Sequence, residues 1–356
     1  MDLSSQQLDV YQGAIRKAAS WADRRWDRIV EEPDLQAHYK APAFWAAVGD
    51  AEMAGRHRKL ICDRFLRDDG DFRMADDVKG FTLFPCTTVN QYIYPNGWLI
   101  VGMQKLGAYD VVAKALPFIL RFQDPELGGF YYAFDPKTKE IDRRLLDSSS
   151  TSSAGLALLM TGRLEEARRA GDFVLRLLEL QPNPDAYFFS CMRPDGQLHT
   201  DVFGSEDEWD GNGRKQKCLS AEADGHKELT WLIGKPTKLL AKLYTATGDS
   251  RYLDGAKRAF AFFHKLHPNA WTNYASCKTM WAGPELYRLT GEAIYAETAT
   301  RLLDFYCRTQ SDQGSWVHTL WYASEADQPF TWTADITFEY GAEFSDVIYE
   351  LSTGPG

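Results

Sequence analysis

One grammar recurs along the chain, and it constrains the fold more than any other feature. A helix is followed by a tight turn containing glycine, then a second helix, then a polar loop. Four segments follow it: NGWLIVGMQKLGAYDVVAKALPFILRFQDPELGGFYY, SSAGLALLMTGRLEEARRAGDFVLRLLELQ, PTKLLAKLYTATGDSRYLDGAKRAFAFFHKL and WAGPELYRLTGEAIYAETATRLLDFYCRTQSDQGSW. The turn glycines are Gly107, Gly162, Gly248 and Gly291, and a weaker copy surrounds Gly49. Each glycine follows the apolar end of a helix, where a left-handed C′ residue closes the last turn. Acidic residues soon after it suit the positive end of the next helix. Turns this short make the two helices antiparallel neighbours. Single helices over 6–30 and 336–351 flank the hairpins. The expected fold is therefore all-α: an (α/α)6 toroid in which inner helices line a central cavity and outer helices form a ring. An open solenoid is the alternative, but the terminal helices are not obviously the polar caps that open arrays need.

The 356 residues are expected to form one domain, 1–356, since helical toroids run to this length as single units. Hydrophobic residues make up 44% of the chain, so a large core is available. The net charge of −10 comes with no basic block, which argues against nucleic acid and anionic membranes as partners. No apolar run reaches the roughly 18–20 residues that span a bilayer. The six cysteines are scattered, without a C-x-x-C pair, and the N-terminus is polar. Reduced thiols and a cytoplasmic location are expected. The stretch 185–225 breaks the repeat with RPDG and SEDEWDGNGRKQK and reads as a lid or insertion at the rim of the cavity.

Candidate chemistry gathers at the starts of the inner helices. Lys278 has Tyr274, Ala275, Trp281 and Ala282 as helical neighbours. A lysine on such an apolar face meets either a buried carboxylate or an anionic ligand, unless it is exposed at the helix start. Asp335 and Glu339 are four apart and share a helix face, where two carboxylates can hold a hard cation or act as acid and base. They also fit an N-cap and a first-turn acid. Asp224 and Glu228, flanking His226, form a second acidic pair with the same capping alternative. Trp231 lies one turn beyond it. Tyr94, Asn96 and Trp98 open another inner helix, and Asp147 precedes a run of serines. Gln310, Gly314 and Trp316, with a related Gln123, Gly128 and Phe130, read as structural ties between hairpins. RDDGD at 67–71 reads as a solvated loop. The chain has no P-loop, no G-x-S-x-G, no H-E-x-x-H, and neither D-D-x-x-D nor D-x-D-D.

The Q-x3-G-x-W element resembles the repeats of squalene-hopene-type cyclases. A longer likeness, from YPNGW through DSSSTSSAGLALL, WLIGKPTKLLAKLYTATGD and CKTMWAGPELYRLTG to DITFE, resembles unusual fungal humulene synthases of tropolone sesquiterpenoid pathways. The resemblance implies a class I sesquiterpene cyclase of secondary metabolism that ionises farnesyl diphosphate with two Mg²⁺ ions and an essential lysine, here Lys278. It makes Tyr274 the residue that shapes the product. Spacing nominates Asp335, Glu339, Asp224 and Glu228 as metal ligands. Tyr274, Trp231, Trp281, Phe338, Tyr94 and Asn96 are expected to line the substrate pocket, where aromatic faces stabilise a carbocation. The rival is a carbohydrate-active enzyme on the same toroid, a glycosidase, lyase or epimerase, with Asp224 and Asp335 as acid and base. A non-catalytic toroid that binds a partner is the third reading.

Overall fold

A computed structural model describes residues 3–75, 78–80, 91–135, 137–200, 218–221, 229–318 and 322–354. The helices are α1 (Ser5–Arg24), α2 (Trp26–Glu31), α3 (Ala41–Val48), α4 (Ala51–Arg64), α5 (Tyr94–Lys105), α6 (Tyr109–Leu120), α7 (Ser148–Met160), α8 (Leu164–Glu179), α9 (Trp231–Thr247), α10 (Ser250–Ala261), α11 (Cys277–Thr290), α12 (Ala293–Thr309) and α13 (Phe330–Thr353).

Their packing alternates as the repeat predicts. Helix α3 packs on α5, α5 on α7, α7 on α9, α9 on α11, α11 on α13, and α13 returns to α3. The circuit of these helices is closed. Each also packs on a second helix outside the circuit: α4, α6, α8, α10, α12 and α1 respectively. Burial separates the two sets. In α13 every residue from Phe330 to Phe344 is buried, whereas α8 buries one stripe (Ala167, Ala170, Phe173, Val174, Leu177) and leaves Glu165 exposed. A helix buried all round belongs to the inside of a molecule, and one with a single apolar stripe to its outside.

The turn glycines Gly49, Gly107, Gly162, Gly248 and Gly291 all take φ between 70° and 79°, as their place in the repeat requires. Asp50 and Asp249 then cap the following helices, accepting the backbone N–H of Met53 and Arg251. The two glutamine motifs are structural ties. Gln310 donates to the carbonyls of Ala14 and Gly314, joining the end of α12 to α1. Gln123 donates to the carbonyls of Gly128 and Glu166, joining the end of α6 to α8.

The all-α expectation needs one amendment. Short strands occupy the connections that lead into the inner helices. Strands β1 (Tyr131–Asp135) and β2 (Glu140–Asp147) pair antiparallel, β2 pairs with β4 (Cys191–Met192), and β3 (Tyr187–Phe189) pairs with β5 (Cys218–Ser220). Polar hairpin residues carry no helical period, so the repeat hid them. The flanks of the expected lid are thus β3, β4 and β5, and its middle, 201–217, lies outside the described residues. No helix among the described residues is long and apolar enough to cross a membrane.

Inner helices approach closely through glycine. A Cβ on Gly234 of α9 would stand 2.1 Å from the backbone carbon of Lys278 on α11. Gly234→Ala is therefore expected to push the two helices apart. It should cost about 1–3 kcal/mol, read as a lower midpoint in urea unfolding. A midpoint equal to that of the parent would show that the helices yield freely.

Candidate active site

The inner helices converge on a chain of buried charges. Lys40, at the start of α3, places its ammonium 2.6 Å from Asp335 Oδ1 and 2.6 Å from Glu339 Oε2 on α13. Lys278, in the first turn of α11, bonds both Glu339 and Glu343. Gln36 donates to Asp335 Oδ2 at 3.0 Å. The order along the chain is Asp335, Lys40, Glu339, Lys278, Glu343, with every member less than a tenth exposed. Positions 335, 339 and 343 lie four apart, so α13 presents all three carboxylates on one face.

The members respond differently to burial. Burial works against ionisation of Glu339, but Lys278 and Lys40 flank it and hold its carboxyl down, at about 2. Glu343 has one lysine only. Burial pushes its carboxyl up to about 7, with Lys278 pulling the other way. Its second oxygen, Oε2, is buried and has no hydrogen-bond partner. Burial also raises Asp335, opposed by Lys40.

Glu343 lines a cavity of about 430 Å³, within the range of roughly 300–1,000 Å³ typical of small-molecule sites. Trp98, Trp281 and Tyr94 supply aromatic faces, Val101, Leu156 and Leu159 an apolar wall, and Lys235, Lys238, Lys242 and Lys278 a basic one. The cavity reaches outward to Met160 and Tyr349 near the C-terminal ends of α7 and α13, both of them exposed. Towards that end Lys238 binds both oxygens of Glu350 at 2.8 Å, and Glu285 binds Lys242 and Arg288.

Lys235 stands apart. It is 4% exposed, donates to Ser149 Oγ at 2.7 Å and lies 3.7 Å from the centre of the Tyr94 ring. Burial, reinforced by the charge on Lys278, pulls its ammonium down to about 7. The sign of the linkage follows. Between pH 7 and the ordinary lysine range the unfolded chain binds the proton more tightly, so stability rises with pH across that window. The burial penalty is in full force below it. Lys235→Met is expected to stabilise the fold at pH 6–7 by roughly 1–3 kcal/mol and to flatten the rise towards pH 9. Thermal melts at the two pH values check this, and a destabilised variant at pH 6 would refute it.

The sequence-selected residues scatter over this geometry. Lys278, Trp281 and Tyr94 reach the cavity. Asp335 and Glu339 share a face as expected, but lysines occupy them. Phe338, expected in the pocket, packs instead against Phe44, Trp45 and His57, because it points away from the carboxylate face of α13. Asn96 is fully buried and bonds Asp71 and Lys79. Tyr274 and Trp231 pack edge to face beyond the cavity lining, with Tyr274 also against His318. Asp224, His226 and Glu228 lie outside the described residues. The segment expected to be a solvated loop is so only in part: Asp68 and Asp69 are exposed, but Asp71 is completely buried and accepts from Lys79, Tyr92 (2.6 Å) and Asn96 (3.0 Å).

Among the described residues, those nominated for Mg²⁺, Asp335 and Glu339, do not fit it. Among the described residues, the one cluster of potential ligands is Cys277, Glu339 and Glu343, whose atoms lie within 4.8 Å of each other. Two of these already share the ammonium of Lys278, and Asp335 is held by Lys40. The third is a thiol that burial keeps protonated. Magnesium favours oxygen ligands in an open octahedron, not carboxylates closed by lysines.

No model of a known protein family matches the chain, and no curated protein matches it in sequence. Solved structures do match. A D-mannose isomerase superposes with a TM-score of 0.68 at 11% identity, over 99% of this chain and 100% of that one. A cellobiose 2-epimerase from Spirochaeta thermophila gives 0.62 at 12% identity, over 99% of each. A type II terpene cyclase from Scytonema, in complex with geranylgeranyl dihydroxybenzoate, gives 0.57 at 12% identity, over 98% of this chain and all of that one. The fold is shared with these enzymes. The expected class I sesquiterpene cyclase is overturned: the similar structures are mainly sugar isomerases, epimerases and glycoside hydrolases, and the cyclase among them is of the other type. None of these comparisons supports a humulene synthase.

Proposed function

We propose that this chain is an (α/α)6 toroid enzyme acting on a carbohydrate, and that it moves a proton within the sugar as an isomerase or epimerase does. The observation that carries this reading is Glu343. It is a buried carboxyl on the cavity wall, raised to about 7, with one oxygen tied to Lys278 and the other without a partner. A general base works best when its pKa lies near the operating pH and its acceptor oxygen is free. Lys278 stands beside it as a fixed positive charge, suited to the oxyanion that forms when a proton leaves the carbon next to a carbonyl. Trp98 and Trp281 offer flat faces to the C–H side of a sugar.

Hydrolysis fits less well. A glycosidase needs one protonated and one ionised carboxyl flanking the bond. Glu339, held low between two lysines, cannot serve as the acid, and Asp335 is committed to Lys40 and Gln36. Two further carboxyls line the cavity, but Asp346 is held by Lys105 and Trp281 and Glu350 by Lys238 and Lys242, which leaves Glu343 as the base and Lys278 as the cation beside it. They suit proton abstraction: the C2 proton passes to Glu343, and in isomerisation it returns to C1 while the O2 hydroxyl proton moves to O1; in epimerisation the enediol must turn over the base before the proton returns to the opposite face of C2.

The test is exchange with solvent. The protein is incubated in D₂O with aldohexoses, ketohexoses, cellobiose, D-glucuronate and D-glucose 6-phosphate, and followed by proton NMR. Deuterium at C2 of the aldoses or C1 of the ketoses, with interconversion of the sugars, is the expected result. Folded protein that leaves every C1 and C2 proton in place across the panel would overturn the reading.

A further inference from the structure

The lysines on the cavity wall are not equivalent. Lys105 faces Asp346 at 3.2 Å, Lys238 faces Glu350 at 2.8 Å, Lys242 faces Glu350 at 3.3 Å, and Lys278 bonds Glu339 and Glu343. Lys235 has no such neighbour: among the described residues no carboxylate oxygen lies within 4.0 Å of its ammonium. The acid with the greatest influence on it after Glu339 is Asp147, whose oxygens are spent on the backbone N–H groups of Ser149 and Ser150 at 3.1 and 2.6 Å. A lysine 4% exposed, held by one hydroxyl and one ring face, and lining a cavity, is short of a counter-charge. Burying an ammonium without one is costly, and a ligand that brings an anion relieves the cost. It is notable that this occurs in a chain whose net charge is −10, so the basic wall is a local arrangement against the general field.

We propose that the ligand of this cavity is an anionic sugar, one bearing a phosphate or carboxylate group that pairs with Lys235. The inference rests on the carbohydrate reading and narrows it to a substrate class. Ser149 Oγ, already 2.7 Å from the ammonium, is placed to join the pair as a neutral donor. The aromatic walls, Trp98 and Trp281, take the ring of the sugar while Lys235 takes its charge. Glu343 does not compete with the anion for Lys235, because it is bonded to Lys278.

The experiment is binding, not turnover. Titration calorimetry is run at pH 8 with D-glucuronate, D-glucose 6-phosphate and D-glucose, in two buffers of different ionisation enthalpy, on the parent protein and on Lys235→Met. At least one anionic sugar is expected to bind at least tenfold more tightly than glucose. Its binding should draw a fraction of a proton from the buffer, as the ammonium becomes fully charged. In Lys235→Met both the preference and the proton uptake should vanish. The two anions separate a phosphate from a carboxylate as the group recognised. Glucose binding as tightly as either anion, or the variant retaining the preference, would overturn the proposal. Thermal melts show that the variant is folded in either case. The two readings fail separately. Binding that depends on Lys235, with no exchange of any sugar C2 proton, leaves the anion site standing and removes the isomerase. Exchange on neutral sugars, with no anion preference, does the reverse.

Discussion

Lys278→Met should lower the stability of the protein by about 3–5 kcal/mol at pH 7, the usual cost of removing one partner from a buried ion pair. The size follows from what is left behind. Glu339 keeps Lys40, but Glu343 is left with no cation bonded to it, and both carboxyls are almost completely buried. The pH dependence is the sharper part of the expectation. In the parent protein Glu339 is held at about 2, below its unfolded value, so it contributes stability above the unfolded carboxylate range, and this is lost as pH falls towards 2. The variant gives up much of that contribution. The gap between parent and variant should thus be widest above pH 5 and shrink below pH 4. Urea unfolding at pH 7 and pH 3.5 measures it. A loss under 1 kcal/mol at pH 7, or a gap equal at both pH values, would mean that Lys278 does not hold the two acids. The double variant Lys278→Met with Glu343→Gln should recover part of the loss, because the orphaned charge goes with the glutamate.

The sequence made the scaffold readable because its signals are local. A glycine after an apolar helix end and an aspartate one residue later, as at Gly49–Asp50 and Gly248–Asp249, need no knowledge of distant contacts. Their φ values and caps are as the pattern requires. The glutamine ties at Gln123 and Gln310 were also legible as structure. The site was legible in part. Lys278 on an apolar inner face, and Asp335 with Glu339 on one helix face, are where the spacing puts them.

What was missed depends on contacts across long stretches of chain. Lys40 meets Glu339 from 299 residues away, and nothing near either residue announces the other. Yet two signals were present. Lysines 235, 238 and 242 of α9 fall at helical spacing, and so do Asp335, Glu339, Glu343, Asp346 and Glu350 of α13. Such stripes usually mark solvated faces. Here each belongs to a helix in the closed circuit, so the stripes face each other across the cavity. Asp71 was misread for the same reason: RDDGD looks solvated until Lys79, Tyr92 and Asn96 are folded around it. The spacing of Asp335 and Glu339 could not show that lysines from two other helix starts, Lys40 and Lys278, hold them. A terpene cyclase and sugar-converting enzymes share this fold, so fold alone does not choose the chemistry.

Glu343→Gln provides the decisive choice. Glutamine keeps the shape of the side chain and an oxygen for Lys278, so the fold should survive, with Glu339 still balancing that lysine. What disappears is the cavity-wall carboxylate oxygen that has no hydrogen-bond partner and can take a proton. Solvent exchange at C2 should fall by about 10²–10⁴-fold in kcat, the range for loss of a positioned base, with KM little changed. The parent protein should show the complementary pH profile. Burial raises Glu343 to about 7, so the base is protonated and idle below that point. The rate should therefore climb through pH 7 and level off above it, while the residual rate of the variant shows no such climb. The same raised carboxyl costs stability as pH rises from the ordinary carboxylate range to about 7, because the unfolded chain releases that proton more readily. The glutamine variant should lose this decline too. Activity and stability thus report one proton by independent routes. If the variant turned over sugar at half the parent rate while its stability profile changed as described, Glu343 would be a buried acid with no part in the reaction, and the base would have to be sought at the other end of the inner helices, around His318 and Tyr274.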